Sequence, residues 1–67
     1  VGESFINYLT GLRMKRAKQL LAGTELMIYE VAIMVGYENQ TYFSTVFKKS
    51  AGISPKDYRE SVRQPEV

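Results

Sequence analysis

Ile28-Tyr29-Glu30-Val31-Ala32-Ile33-Met34-Val35-Gly36-Tyr37-Glu38-Asn39-Gln40-Thr41-Tyr42-Phe43-Ser44-Thr45-Val46-Phe47-Lys48-Lys49 is the stretch that decides the fold. Ile28, Val31, Ala32 and Val35 fall at i, i+3, i+4 and i+7, which predicts a short helix over 28–35. The β-branched residues favour a strand, but strict alternation is absent and Ala32 suits a crowded helix–helix contact. No clear N-cap precedes this helix, although Glu30 favours the positive end of its dipole. Gly36 closes it as a residue that tolerates the left-handed conformation. Asn39 is then an N-cap for a helix over 40–50. Phe43, Val46 and Phe47 form the apolar face of that helix, with Tyr42 beside it, and Gly52 ends it. Two helices with one apolar face each, joined by Gly36-Tyr37-Glu38, have helix-turn-helix geometry.

Working outward, residues 4–22 read as one long helix. Phe5, Tyr8, Leu9, Leu12, Ala17, Leu20 and Leu21 recur at three- and four-residue spacing. Ser4 is its expected N-cap and Gly23 its expected left-handed C′ residue. Gly11 sits mid-helix, as a tolerated residue or as the mark of a close backbone approach, at a cost of roughly 1 kcal/mol against Ala. On the other side, Ser54-Pro55 opens a closing helix, with Ser at N-cap and Pro at N1. Asp57 at N3 can reach back to the cap, and Ile53 and Tyr58 have hydrophobic-staple spacing. Pro65 stops the helix near Arg63, leaving 64–67 as a tail. The reading is all-α: a long helix, a helix-turn-helix unit and a short closing helix, in a homeodomain-like bundle.

Composition narrows function. The 67 residues fit one small domain, with 45% hydrophobic residues, ordinary for a folded chain. Cys and His are both absent, which excludes a disulfide scaffold, an iron–sulfur cluster, thiol catalysis, and any thiolate or imidazole zinc site. The seven acids are scattered, so no carboxylate site is expected, no cofactor is implied, and the chain does not read as an enzyme. The longest apolar run, Val31 to Val35, falls far short of the roughly 20 residues of a membrane span, and no signal-peptide pattern opens the chain. A cytoplasmic domain that contacts neither a membrane nor a small-molecule ligand is the expectation.

The nine Lys and Arg residues give a net charge of only +2, so their clustering matters more than their number. The polar face of the 40–50 helix carries Gln40, Thr41, Ser44, Thr45 and Lys48, and no acid occurs from Asn39 to Ser50. In a helix-turn-helix unit this second helix enters the major groove of DNA. Gln pairs with adenine, and Thr offers a hydroxyl and a methyl to thymine. Lys48 and Lys49 stand near the far end, within reach of phosphates. A solvated helix face would be polar too, and the pattern alone fits both readings. The second basic cluster, Arg13, Lys15, Arg16 and Lys18, forms no single stripe on a helix; it fits a solvated face, or one from which Arg13, Arg16 and Lys18 skirt a phosphate backbone. Arg16 can also lay its aliphatic stem along the apolar seam. Met27, Tyr29, Ile33 and Met34 lie partly off the core face, as a wider core or as a docking surface. A protein-interaction or self-association module, taking RNA polymerase or a second copy of the chain, is therefore the alternative to DNA binding.

The ordered motifs add a resemblance. Gly2-Glu3-Ser4-Phe5-Ile6-Asn7-Tyr8-Leu9, then Arg13, Ala17-Lys18 and Leu20-Leu21, resembles the linker-helix region of AraC/XylS-type transcription regulators. Ile28-Tyr29-Glu30-Val31-Ala32, Val35-Gly36-Tyr37, Tyr42-Phe43-Ser44, Phe47-Lys48-Lys49, Gly52-Ile53-Ser54-Pro55 and Tyr58-Arg59 resemble the second helix-turn-helix and closing helix of that family. Gly-Glu-Ser-Phe and Ile-Tyr-Glu look most like the output domains of YesN-type two-component response regulators. The resemblance implies sequence-specific binding of double-stranded DNA by a bacterial, cytoplasmic regulator. Residues 1–3 then close an absent first helix-turn-helix unit, 4–22 form the linker helix, and 26–63 form the second unit, which makes the chain a piece of a longer polypeptide. The family's DNA-facing positions map onto Gln40, Thr41, Ser44 and Thr45, with Lys48 on phosphate. The family often places Arg where this chain has Thr45. Thr cannot make the bidentate guanine contact, so this helix is expected to act largely as a backbone clamp.

Overall fold

The computed structural model describes residues 2–63, with side chains from Phe5 onward. Four helices follow in order: α1 (Gly2–Gly23), α2 (Ile28–Met34), α3 (Gln40–Ala51) and α4 (Pro55–Arg63). No strand occurs among the described residues, and the all-α architecture holds. The expected tail over 64–67 lies outside the described residues, as does Val1.

The helix ends follow from local chemistry. At α3, the Asn39 Oδ1 accepts the Tyr42 N–H at 2.9 Å, and Gly52 closes the helix in the left-handed region at φ 88°. At α4, the Ser54 Oγ accepts the Asp57 N–H at 3.1 Å, with Pro55 as the first helical residue. Gly36 sits at φ 105° after α2, a conformation closed to most side chains. These match the expected caps.

Three ends differ. The helix α1 begins at Gly2, so Ser4 lies within its first turn instead of capping it; the Ser4 side chain is outside the described residues. Gly23 remains helical and does not adopt positive φ. Thr24 closes α1 instead: its N–H and its hydroxyl both donate to the Leu20 carbonyl, at 3.0 and 2.6 Å. The same hydroxyl accepts the Leu26 N–H at 3.2 Å, so one Thr satisfies both sides of the bend and no glycine turn is needed. Helix α2 stops at Met34, with Val35 as its C-cap. Its N-terminus is capped after all, because the Glu30 Oε1 accepts the Met27 N–H at 2.8 Å, half of a capping box.

The core is one cluster. Met14, Ala17 and Leu21 of α1 meet Val31, Ala32 and Val35 of the α2 segment, Tyr37 of the turn, and Phe43 and Phe47 of α3. Leu20, Leu26, Ile28, Val46, Ala51 and Tyr58 pack around it, half-buried. The aromatic rings run as a chain, with Phe43 to Phe47 centroids 5.9 Å apart and Phe47 to Tyr58 5.6 Å apart in an edge-on arrangement. The face predicted for α1 is only half used. Phe5, Tyr8 and Leu12 are exposed and Leu9 is half-buried, whereas Met14, not anticipated, is buried. The elements α2 to α4 gather on the C-terminal half of α1, so periodicity in the N-terminal half finds no partner.

A clasp from α4 fixes the C-terminus of α1. The Arg59 Nε donates to the Leu21 carbonyl at 2.9 Å and its Nη2 to the Thr24 carbonyl at 3.3 Å. Arg63 also donates to the Thr24 carbonyl and pairs with Glu25 at 3.1 Å. Cations at this end satisfy orphan carbonyls and complement the negative pole of the helix.

Candidate nucleic-acid interface

The turn between α2 and α3 is built from the inside out. The Tyr37 N–H donates to the Ala32 carbonyl at 2.8 Å and the Gly36 N–H to the Ile33 carbonyl at 3.1 Å, which folds the chain back at the end of α2. The Tyr37 ring is buried beside Tyr42 and Phe43, at centroid distances of 5.6 and 5.7 Å. The start of α3 is thereby locked to the turn, and Phe43 and Phe47 aim the helix into the core.

At about 100° per residue, burial of Phe43 and Phe47 turns Thr41, Thr45, Lys48 and Lys49 outward. All four are exposed, as are Asn39 and Gln40, while Ser44 is half-buried on the flank. Two of these groups have part of their hydrogen-bonding capacity already engaged. The Thr45 hydroxyl donates to the Thr41 carbonyl at 3.0 Å, which leaves it acceptor lone pairs and a methyl. The Asn39 Oδ1 serves as the cap, which leaves its amide NH₂ as a donor. No acid interrupts the α3 face, but Glu38 is exposed just before it.

An open groove of about 1000 Å³ separates the start of α3 from the N-terminal half of α1. Thr10 and Arg13 line one wall, Asn39, Thr41, Tyr42 and Thr45 the other. Residues from Ile28 to Lys49 thus present one helix on the core and a second with a free polar face, across the five-residue connection 35–39. A family described as "Helix-turn-helix domain" matches residues 1–61. The chain belongs to the AraC-type helix-turn-helix family.

Relatives and solved structures agree. The HTH-type transcriptional activator RhaR of Yersinia pseudotuberculosis is 43% identical over 65 residues, 96% of this chain and 22% of that protein. The C-terminal domain of the response regulator yesN from Fusobacterium nucleatum superposes with TM-score 0.82 at 54% identity, covering 84% of this chain and 54% of that one. The C-terminal domain of AraT, a response regulator from Geobacillus stearothermophilus, gives TM-score 0.87 at 51% identity over 94% of this chain and 52% of that one. This chain spans about a fifth of the length of the curated relatives and about half of the solved chains.

On this helix-turn-helix frame the site residues read from sequence separate into groups. Thr41, Thr45, Lys48 and Lys49 share the exposed side of α3, with Ser44 at its edge, while Asn39 and Gln40 are exposed at its N-terminal end. The second basic cluster does not stay together. Arg13 turns to the α2–α3 turn, its Cζ 5.2 Å from the Tyr37 centroid. Lys18 lies over the Tyr58 ring at 6.0 Å, while Lys15 and Arg16 remain in solvent. Tyr42, expected beside the apolar face, is 61% exposed and lines the groove. Its position one residue before Phe43 carries the signal, since a buried Phe43 turns its neighbour away. No helix is long and apolar enough to cross a membrane among the described residues.

Proposed function

We propose that this chain binds double-stranded DNA as part of a bacterial transcription regulator, with α3 as the recognition helix in the major groove. The observation that carries the reading is the exposed, acid-free face of α3 on a helix-turn-helix frame. Gln40, Thr41 and Thr45 face base edges, with Ser44 and Tyr42 at the margins. Thr45 offers an acceptor and a methyl surface, since its hydroxyl proton is held by the Thr41 carbonyl. Lys48 and Lys49 bind phosphates beyond the far end of the readout, and the free Asn39 amide does so at the near end. Arg16 flanks the duplex as a further phosphate contact. Glu38 directs the backbone away from its own side of the groove. The kinship with transcription regulators favours DNA over the interaction-module reading.

The exposed Phe5, Ile6, Tyr8 and Leu12 support a second part of the proposal: α1 is a linker helix whose N-terminal half is covered by a preceding helical unit in the longer polypeptide. DNA binding by such a pair is tighter and more selective than by this chain alone.

Fluorescence anisotropy with labelled duplexes tests the DNA reading, with circular dichroism as the folding control. Affinity should fall steeply as salt rises. Lys48→Ala should weaken all duplexes alike and reduce the salt slope by about one. Gln40→Ala should cost about 1–3 kcal/mol on a preferred site, and little on random DNA, if it pairs with a base. A helical protein with no binding at low salt would overturn the proposal.

A further inference from the structure

We infer that Arg13 is a positioning residue for α3, setting the tilt of that helix through Tyr37, and so governs which DNA sequences are preferred while contributing no phosphate contact. This rests on the DNA-binding reading proposed above and assigns a specificity role to a residue outside α3.

Arg13 and Tyr37 form a cation–π pair beside the turn. The Arg13 guanidinium lies 5.2 Å from the Tyr37 centroid, within cation–π range. A Cβ placed on Gly36 would meet its Cζ and Nε at 3.2 Å and its Nη2 at 3.3 Å. Gly36 therefore serves two needs at once, a positive φ of 105° and room for the guanidinium. The other neighbours of Tyr37 are Tyr42 and Phe43, at 5.6 and 5.7 Å. Those two residues belong to the first turn and a half of α3, where the Tyr42 N–H bonds to the Asn39 Oδ1 and the Phe43 N–H to the Asn39 carbonyl. Arg13 thus presses on the ring that presses on the root of α3.

A small change at the root is amplified along the helix. Thr45, the base-facing residue farthest from the root, stands about 7.5 Å along α3 from Gln40, so a tilt of roughly 10° about the root moves it by about 1.3 Å. Hydrogen bonds to base edges work over a range of only about 0.5 Å and would be lost. Long, flexible lysines on phosphates follow such a shift. Losing a positioning residue therefore lowers selectivity and leaves non-specific binding intact. Losing a phosphate contact does the reverse, reducing affinity on every sequence and the salt slope by about one. Lys can replace Arg as a point charge on phosphate but not as a planar group on a ring.

The test compares Arg13→Lys, Arg13→Met and Tyr37→Leu with the unsubstituted protein, on a site selected from a random duplex library and on random DNA. The expected result is that Arg13→Lys keeps the salt slope and the random-DNA affinity within about twofold, while its preference for the selected site drops about three- to tenfold. Tyr37→Leu should produce a similar loss, and the Arg13→Lys/Tyr37→Leu pair no more than the larger single loss. Should Tyr37→Leu fail to fold, the two Arg13 variants carry the comparison. A wild-type-like Arg13→Lys, with Arg13→Met weakened equally on all duplexes and its slope reduced by one, would overturn the inference. Amide exchange separates this from failure of the DNA reading. Faster exchange at Tyr42 and Phe43 in Arg13→Lys, with an unchanged global midpoint, supports the positioning role even where the wild type selects no site; unchanged exchange there overturns it.

Discussion

From Phe5 to Leu12, α1 holds Phe5, Ile6, Tyr8 and Leu12 in solvent, the first of them 65% exposed; from Met14 to Leu21 the same helix buries Met14, Ala17 and Leu21 to 2% or less. Both halves carry apolar residues at helical spacing. What separates them is reach. The helices α2, α3 and α4 have 7, 12 and 9 residues, or about 10 to 18 Å at 1.5 Å per residue, against about 33 Å for α1. They gather where Tyr58, Phe47 and the two arginines of α4 can clasp the end of α1, and the first turns of α1 extend past them. Periodicity specifies which side of a helix is apolar. The length of that side that is covered depends on the partners.

The widest test of the contrast is Leu21→Ala against Phe5→Ala. Removing the fully buried Leu21 side chain should cost about 2–5 kcal/mol, enough to unfold much of a small domain. Phe5→Ala in this chain should stay within about 0.5 kcal/mol. Urea denaturation followed by far-ultraviolet circular dichroism reads both, and equal losses would show that the N-terminal half is packed in solution.

Two glycines sharpen it. Gly36→Ala forces a side chain into positive φ and against Arg13, and should destabilise by about 1–3 kcal/mol. A Cβ on Gly11 would meet nothing within 4 Å, and the residue lies in regular helix, so Gly11→Ala should stabilise by about 0.4–1 kcal/mol. Thermal midpoints should therefore move in opposite directions. The smallest effect is expected at the outer edge of the clasp. The Glu25 side chain is 91% exposed in its pair with Arg63, and Glu25→Ala should shift stability by less than about 1 kcal/mol, a shift that added salt should shrink further. A large loss would mean that the Arg63 pair, and not Arg59, holds α4 to α1.

Much of the fold is legible in the residues. Asn39, Gly52 and Ser54-Pro55 announce helix ends because each satisfies or avoids a backbone requirement within one turn. Gly36 announces the bend for the same local reason. Thr24 is harder to read, since a single hydroxyl serving as donor to Leu20 and acceptor from Leu26 has no fixed spacing signature. Glu30 is visibly dipole-favouring, but its bond to the Met27 N–H depends on a rotamer. The polar side of α3 follows from Phe43 and Phe47, yet the aromatic character of Tyr42 points to the wrong side, against its position in the turn. The cluster at 13–18 has no single reading in the sequence: Arg13 and Lys18 each find an aromatic ring contributed by a distant part of the chain.

Four helices, the caps at Asn39, Gly52 and Ser54-Pro55, the bend at Gly36 and an acid-free face from Asn39 to Ser50 can be read from the residues alone, because capping, left-handed glycine and helical period act within a few residues. Tertiary structure alone decided that Met14 replaces Leu12 in the core, that Arg59 reaches the Leu21 carbonyl, and that Arg13 lies on Tyr37. Each of these joins residues far apart in the chain, and such pairings are set by how helices of unequal length share one small core.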